Sequence, residues 1–181
     1  MIIQNQENYT TSKWSGGTTT EIFIYPKESK YSERNFDFRI SSAIIEDNFS
    51  KFTDLSGYDR IIIPLTNDLV LSHGDEKFTI KKLDGYSFDG GKLTESYSSI
   101  TDFNLIYNYK YNANYELIDS DKNIECDNQI IFMYLIDGSC KIILVNEEIK
   151  LVKGSSLIAF SGDSFKIIGD FKAIKFNIKE S

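Results

Sequence analysis

The 181-residue chain has few of the residues on which metal and disulfide chemistry depend. It contains one histidine, His73, whereas an imidazole-based transition-metal site needs two or three such ligands. Cys126 and Cys140 are its two cysteines, too few for a disulfide framework in a domain of this size. We therefore expect no metal ion, no other cofactor, and two small, half-buried thiols.

Basic residues are outnumbered by acidic ones, and long apolar runs are absent. The chain has 20 Lys and Arg against 27 Asp and Glu, and its net charge of −7 offers nucleic acid and anionic lipid no general attraction. No apolar run approaches the ~20 residues of a membrane-spanning helix. The N-terminal sequence lacks the basic and apolar regions of a signal peptide. We expect a cytoplasmic protein that binds neither nucleic acid nor membranes.

Helical patterning is nearly absent, because no long segment has a convincing 3.6-residue period. Runs rich in Ile, Phe, Tyr, Val and Thr recur instead, separated by the predicted turns "TND", "IDG", "NEE" and "IGD". The chain is therefore predicted to be all-β with little helix. The predicted strands are 20–25, 36–46, 60–65, 69–73, 77–83, 102–109, 130–136, 140–145, 148–152, 156–160, 164–168 and 172–178.

A weak internal repeat organises these strands. "IIIPLTNDLVLSHGDEKFTIKKLDGYSFDGG" and "IIFMYLIDGSCKIILVNEEIKLVKGSSLIAFSGD" share an order of strands, acidic turn and glycine, in an outline that resembles a cupin. We predict a bicupin, in which two cupin-like β-barrel or sandwich halves, 1–110 and 111–181, pack as one globular unit. The polar segment 109–128 is the predicted connection.

Polar side chains alternate with apolar ones in two of the predicted strands. In "FDFRISSAI" the period of two places Arg39 and Ser41 on the face opposite Phe36, Phe38 and Ile40. Arg39 either clamps a carboxylate or lies on a solvated face. "TDFNLIYN" places Asp102 and Asn104 together, as pocket residues or as strand-edge groups. The adjacent Asp59 and Arg60 point to opposite faces, and a rim salt bridge is the alternative for Arg60.

The stretch "KWSGGTTTEIFIYP" contains the only tryptophan and a glycine pair. Gly16 and Gly17 form either a bend or an anion cradle, but the lysine and spacing of a phosphate-binding loop are missing. In the strand that follows, the period of two groups Glu21 with Phe23 and Tyr25, away from two isoleucines. Glu21 then faces either solvent or a pocket.

Five motifs, in order, resemble those of the HutD/Ves family: "WSGGTTTEIFIYP", "FDFRISSAIIE", "FSKFTDLSGYDRIIIPL", "SFDGG" and "TDFNLI". Two departures stand out, since the interval between Trp14 and Glu21 is shorter than in the family, and Phe38 replaces a tryptophan. The resemblance implies a metal-independent, two-cupin fold. It also implies a regulatory or metabolite-binding role, because some members lie in histidine-utilisation operons.

Together these observations predict a binding protein for a small polar or anionic metabolite. The candidate ligand-binding residues are Trp14, Glu21, Arg39, Ser41, Asp59, Arg60, Asp102 and Asn104. One alternative is a metal-free isomerase or hydrolase with Glu21 or Asp102 as general base. Another alternative is a structural protein that has no ligand and forms a homodimer. The binding protein is a possible homodimer as well.

Overall fold

The structure, a computed structural model, describes all residues from Met1 to Ser181. The chain is all-β, as predicted, and its only helices are the 3-10 turns Gln6–Asn8 and Tyr31–Glu33. Neither helix could cross a membrane. The strands are β1 (Ile2–Gln4), β2 (Thr10–Trp14), β3 (Gly17–Tyr25), β4 (Phe38–Ile45), β5 (Ser50–Lys51), β6 (Tyr58–Pro64), β7 (Leu69–His73), β8 (Glu76–Ile80), β9 (Tyr86–Asp89), β10 (Thr94–Ser96), β11 (Ile100–Asn108), β12 (Tyr111–Ile118), β13 (Lys122–Glu125), β14 (Ile130–Ile143), β15 (Glu148–Val152), β16 (Ser156–Ala159) and β17 (Ser164–Glu180).

The chain divides into two compact units, and the division does not follow chain order throughout. The first unit is Tyr9–Lys110, and the second comprises Met1–Asn8 with Tyr111–Ser181. The first eight residues lie in the second unit because β1 pairs with β16, from Ile2 opposite Ile158 to Gln4 opposite Ser156. All the strand pairs are antiparallel, and the sheets are open rather than closed barrels.

The first unit contains two sheets with an apolar core between them. The six-stranded sheet has the order β2-β3-β4-β11-β6-β9, and the four-stranded sheet has the order β5-β10-β7-β8. Isoleucines and Phe88 from the larger sheet pack against Leu69, Leu71 and Ile80 from the smaller one. This core fills one part of the space between the sheets, and the candidate site lies in another.

The second unit is one seven-stranded sheet with the path β1-β16-β14-β17-β12, to which β13 and β15 are added. Its core is a large apolar cluster that includes Met133, Leu135, Ile167 and both cysteines. Burial raises the pKa of each cysteine thiol to about 11, so both thiols are protonated at neutral pH. They are free and fully buried, not half-buried.

Two predicted turns are wrong, and the predicted connection contains strands. Asp137–Gly138 lies within the continuous β14, and Gly169–Asp170 lies within the continuous β17. The two glycines allow close approach between these strands, since a Cβ atom on Gly138 would lie 2.2 Å from the Asp170 carbonyl oxygen. The segment 109–128 contributes two strands, β12 and β13, that pair with β17.

Candidate functional site

A cavity of about 370 Å³ lies within the first unit, on the face of its six-stranded sheet that β5 and the residues after it cover. Its volume falls in the range of small-molecule sites. It is lined by Ser12, Trp14, Thr19, Tyr31, Arg39, Ser41, Ala43, Ile45, Ser50, Lys51, Phe52, Thr53, Arg60, Asp102, Asn104 and Ile106. Six of the eight predicted ligand-binding residues are therefore neighbours; Glu21 and Asp59 do not line the cavity.

The polar floor of the cavity follows from the alternation of side chains in adjacent strands. Arg39 and Ser41 of β4 share its face with Asp102 and Asn104 of β11, and Ser41 lies opposite Asn104 in the register. The alternate residues, such as Ile40 and Phe103, are fully buried on the other face. Arg39, Ser41 and Asp102 on the polar face are also buried.

Arg39 is held by partners on three sides. Its Nε atom donates to Glu21 Oε2 at 2.6 Å, and one terminal nitrogen donates to Ser41 Oγ at 3.2 Å. Its guanidinium carbon lies 4.5 Å from the centroid of the Tyr31 ring, in a cation–π contact. The side chain is thus buried with its charge balanced by Glu21.

Arg60 is buried to a similar depth but has fewer partners. One terminal nitrogen donates to the Thr53 carbonyl oxygen, and the guanidinium carbon lies 5.4 Å from the centroid of the Phe52 ring. Its Nε atom has no hydrogen-bond partner. Burial lowers the pKa of Arg60, but a guanidinium stays charged at any physiological pH. Arg60 therefore presents an incompletely satisfied cation to the cavity.

Asp102 and Asn104 complete the floor. Asp102 is 3% exposed, and burial raises the pKa of its carboxyl to about 7, against the opposing effects of the Ala43 backbone N–H and the Arg60 charge. The Oδ1 atoms of Asp102 and Asn104 are both buried without a hydrogen-bond partner. Unpaired buried polar atoms are uncommon in folded proteins. Three of them belong to residues that line this cavity, namely Asp102 Oδ1, Asn104 Oδ1 and Arg60 Nε.

Trp14 lies at the rim, on the edge strand β2, and is 40% exposed. The glycine pair after it lies at the bend between β2 and β3, in agreement with the first of the two predicted roles, a bend or an anion cradle. A Cβ atom on Gly16 would lie 2.3 Å from the Trp14 ring. Gly17 has φ +153°, and a Cβ atom there would lie 1.9 Å from the Ile44 carbonyl oxygen. Contact with the Trp14 ring at Gly16 and with the β4 backbone at Gly17 therefore accounts for both glycines without an anion.

The predicted grouping of Glu21 with Phe23 and Tyr25 is wrong, because a β-bulge interrupts β3. The register shifts at Ile22, so Glu21 lies opposite Ser41, while Phe23 lies opposite Ile40. The bulge leaves Glu21 beside the Arg39 guanidinium, while Phe23 and Tyr25 stack on Phe38 on the other face. Glu21 therefore accepts a hydrogen bond from Arg39 but does not itself line the cavity.

Asp59 points away from Arg60, as the alternation predicts, and does not line the cavity. It lies opposite Asp89 in the register, and burial raises its pKa. Phe36 departs from its predicted position, because it precedes β4 and packs with Tyr58 and Ile106, so it does not share a face with Phe38.

Sequence patterns missed the residues that cover the cavity. Tyr31 lies in a 3-10 turn, and Phe52 and Thr53 follow the two-residue strand β5. None of them lies in a strand long enough to have a period, so no alternation could indicate which way they point. The aromatic residues between polar neighbours in "KYSER" and "SKFTD" were the only available signal. No group of three or more His, Cys, Asp or Glu side chains is placed to hold a metal ion.

Comparisons with known proteins agree with the fold and the motifs. The HutD family model matches residues 6–174. HutD from Pseudomonas fluorescens SBW25 is 22% identical, with a TM-score of 0.82 over 99% of this chain and 98% of that chain. The conserved protein of unknown function PA5104 from Pseudomonas aeruginosa PAO1 is 18% identical, with a TM-score of 0.85 over 99% and 98%.

A more distant structure extends the comparison. The cupin 2 conserved barrel domain protein from Leptotrichia buccalis is 11% identical, with a TM-score of 0.63 over 98% of this chain and 96% of that chain. No curated protein sequence matches. Because the family model spans most of the chain, the predicted resemblance is confirmed: this cupin-fold chain belongs to the HutD family.

Proposed function

We propose that the protein binds a small carboxylate-bearing metabolite in the cavity of its first unit. The observation that carries this proposal is the pair of buried arginines on one cavity, of which Arg60 has an unpaired Nε atom. Arginine presents a planar fork of donors that matches a carboxylate. The chain as a whole has a net charge of −7, so these buried cations are a local feature and not part of a basic surface.

The two arginines have different roles in this proposal. Arg39 is 2.6 Å from Glu21, so most of its charge is already balanced. Arg60 has no such partner at hydrogen-bond distance from its Nε atom, and a ligand carboxylate would supply one. Arg39 and Ser41 then orient the ligand, and Ile106 with Phe52 and Trp14 supplies apolar wall.

The test is isothermal titration with butyrate at constant ionic strength. We expect saturable binding to the wild type, and a loss of at least about tenfold in affinity for Arg60→Met, because a charge-assisted hydrogen bond is worth about 1.5–3 kcal/mol. Arg34→Met is the matched control, since Arg34 is exposed and does not line the cavity. Absence of binding by short carboxylates, or equal binding to Arg60→Met, would refute the proposal.

A proton-transfer enzyme is the second candidate. It is favoured by Asp102, because a buried carboxyl with a pKa of about 7 suits a general acid or base. Glu21 suits this role less well because it is committed to Arg39. Turnover of a carboxylate that persists in EDTA and disappears in Asp102→Asn would favour the enzyme over the binding protein. A regulatory role in histidine catabolism is consistent with either candidate.

A further inference from the structure

The floor of the cavity contains unpaired hydrogen-bond acceptors as well as cations. Along β11, the residues that face the cavity are Ile106, Asn104 and Asp102. Ile106 lies between Arg39 and Arg60 in the register, so the arginines flank one end of this row. Asp102 marks the other end, two same-face positions away. Along the length of β11, the cavity floor therefore offers hydrogen-bond donors from the neighbouring strands at one end and acceptors at the other.

Two of these acceptor atoms have no hydrogen-bond partner within the protein. Asp102 Oδ1 and Asn104 Oδ1 are buried without partners, and both residues line the cavity. Two of the nearby donor side chains are used elsewhere: Ser42 Oγ donates to the backbone carbonyl of Asp102, and Arg39 donates to Glu21 and Ser41. Arg60 Nε is itself unpaired, so it forms no hydrogen bond with either oxygen. An occupant of the cavity that carries a donor would supply the missing partner.

The spacing of the row limits the size of that occupant. Same-face neighbours on a strand are about 7 Å apart. Arg39 donates to Ser41, and Ser41 lies opposite Asn104, so the guanidinium reaches the middle of the row. A ligand that places its carboxylate at the arginines then extends by about one such interval to reach Asp102. A four-carbon acid with a donor on its last carbon has this length.

We propose that Asp102, supported by Asn104, is the specificity determinant of the cavity, and that it selects carboxylates whose far end carries an N–H or O–H donor. This inference rests on the proposed function, because it assumes that the carboxylate lies at the arginines. A site built around a buried acceptor discriminates strongly, since a ligand without the donor leaves that acceptor unpaired. Butyrate is then a partial ligand, and 4-hydroxybutyrate and 4-aminobutyrate are fuller ones.

The experiment compares these three acids by isothermal titration at pH 8, where Asp102, with a pKa of about 7, is mostly ionised. We expect both donor-bearing acids to bind the wild type about tenfold more tightly than butyrate, the usual size of one hydrogen bond to a charged group. In Asp102→Leu the advantage should disappear while butyrate still binds. Asp59→Asn is the control, because Asp59 is a half-buried carboxylate of the same unit outside the cavity.

The outcomes separate this inference from the function on which it rests. Equal affinities of all three acids for the wild type would overturn the inference and leave carboxylate binding intact. An advantage that survives in Asp102→Leu, or that Asp59→Asn also abolishes, would overturn the assignment to Asp102. If none of the acids binds, both proposals fail. Thermal unfolding verifies that the variants fold, and Asp102→Ala, which also removes the acceptor, replaces Asp102→Leu if the latter does not fold.

Discussion

At the scale of single residues, the two arginines show how similar burial can leave different chemistry. Arg39 and Arg60 are 8% and 4% exposed, and each guanidinium lies on an aromatic ring. Glu21 neutralises Arg39, whereas Arg60 is bound by a backbone carbonyl that carries no net charge. A buried cation without a carboxylate partner is costly. Arg60 is therefore the residue most affected by an arriving anion.

Asp102 leads to a prediction about pH. Its pKa rises from an ordinary 3.8 to about 7 on folding, so the folded state binds a proton more tightly than the unfolded chain does. This contribution to stability is fully present below pH 4 and is lost as the pH rises toward 7 and beyond. Between the two pKa values the loss is at most about 1.4 kcal/mol per pH unit.

Urea unfolding of the wild type and Asp102→Asn at pH 5 and pH 8 measures this effect. The wild type should lose unfolding free energy relative to the variant between the two pH values, because the variant has no carboxyl to ionise in the cavity. A constant difference between the two proteins would contradict the raised pKa.

At the scale of elements, the bend between β2 and β3 is predicted to be intolerant of a side chain. Gly17→Ala would place a Cβ atom 1.9 Å from the Ile44 carbonyl oxygen at φ +153°, so β3 or β4 has to shift. We expect a loss of roughly 1–3 kcal/mol in unfolding free energy, measured by urea titration. Gly74→Ala is the control, since its φ is +60° but nothing lies within 4 Å of the added atom. A smaller loss for Gly17→Ala than for Gly74→Ala would be evidence against this account.

The sequence predicted elements well where apolar periodicity was strong. The bounds of β7 and β15 match the predictions, and the alternation in β4 and β11 placed Arg39 and Asn104 on the same side of the sheet as their polar neighbours. The strands β12 and β13 were missed because their residues are mostly polar or exposed. Pairing with β17, which no local pattern reveals, makes them strands.

Glycine was the main source of error in placing turns. Gly138 and Gly169 resemble turn residues in the sequence, and both have positive φ. Each instead lies within a strand where the opposing backbone comes too close for a side chain. A bend and a close approach require the same residue type, so only the paired strand distinguishes them. The same limit applied to Phe52 and Tyr31, whose contacts with the arginines depend on tertiary packing.

At the scale of the whole molecule, the two units differ in what fills their interiors. The second unit encloses an apolar cluster, whereas the first combines an apolar core with a cavity that holds two arginines and an aspartate. The candidate binding chemistry is therefore concentrated in the first unit. The bicupin organisation, the homodimer and the cytoplasmic location stay predictions.

This asymmetry predicts where a ligand should slow hydrogen exchange. Binding in the cavity should protect backbone amides of β4, β6 and β11, which form its floor. At a butyrate concentration 100 times the dissociation constant, the free energy of unfolding rises by at most about 2.7 kcal/mol. Hydrogen exchange followed by mass spectrometry with and without butyrate measures it. Protection confined to β14 and β17 would place the ligand elsewhere.

The bulge at Ile22 has a consequence for comparing this chain with its relatives. Because one unpaired residue separates the two parts of β3, residues 17–21 and 23–25 follow different phases of in–out alternation. A relative without the bulge would be one residue shorter at this point. If an alignment places this gap elsewhere in β3, it matches Glu21 to a residue of the relative whose side chain lies on the opposite face of the sheet. The correct position of that gap decides which residue of a relative is matched to the partner of Arg39.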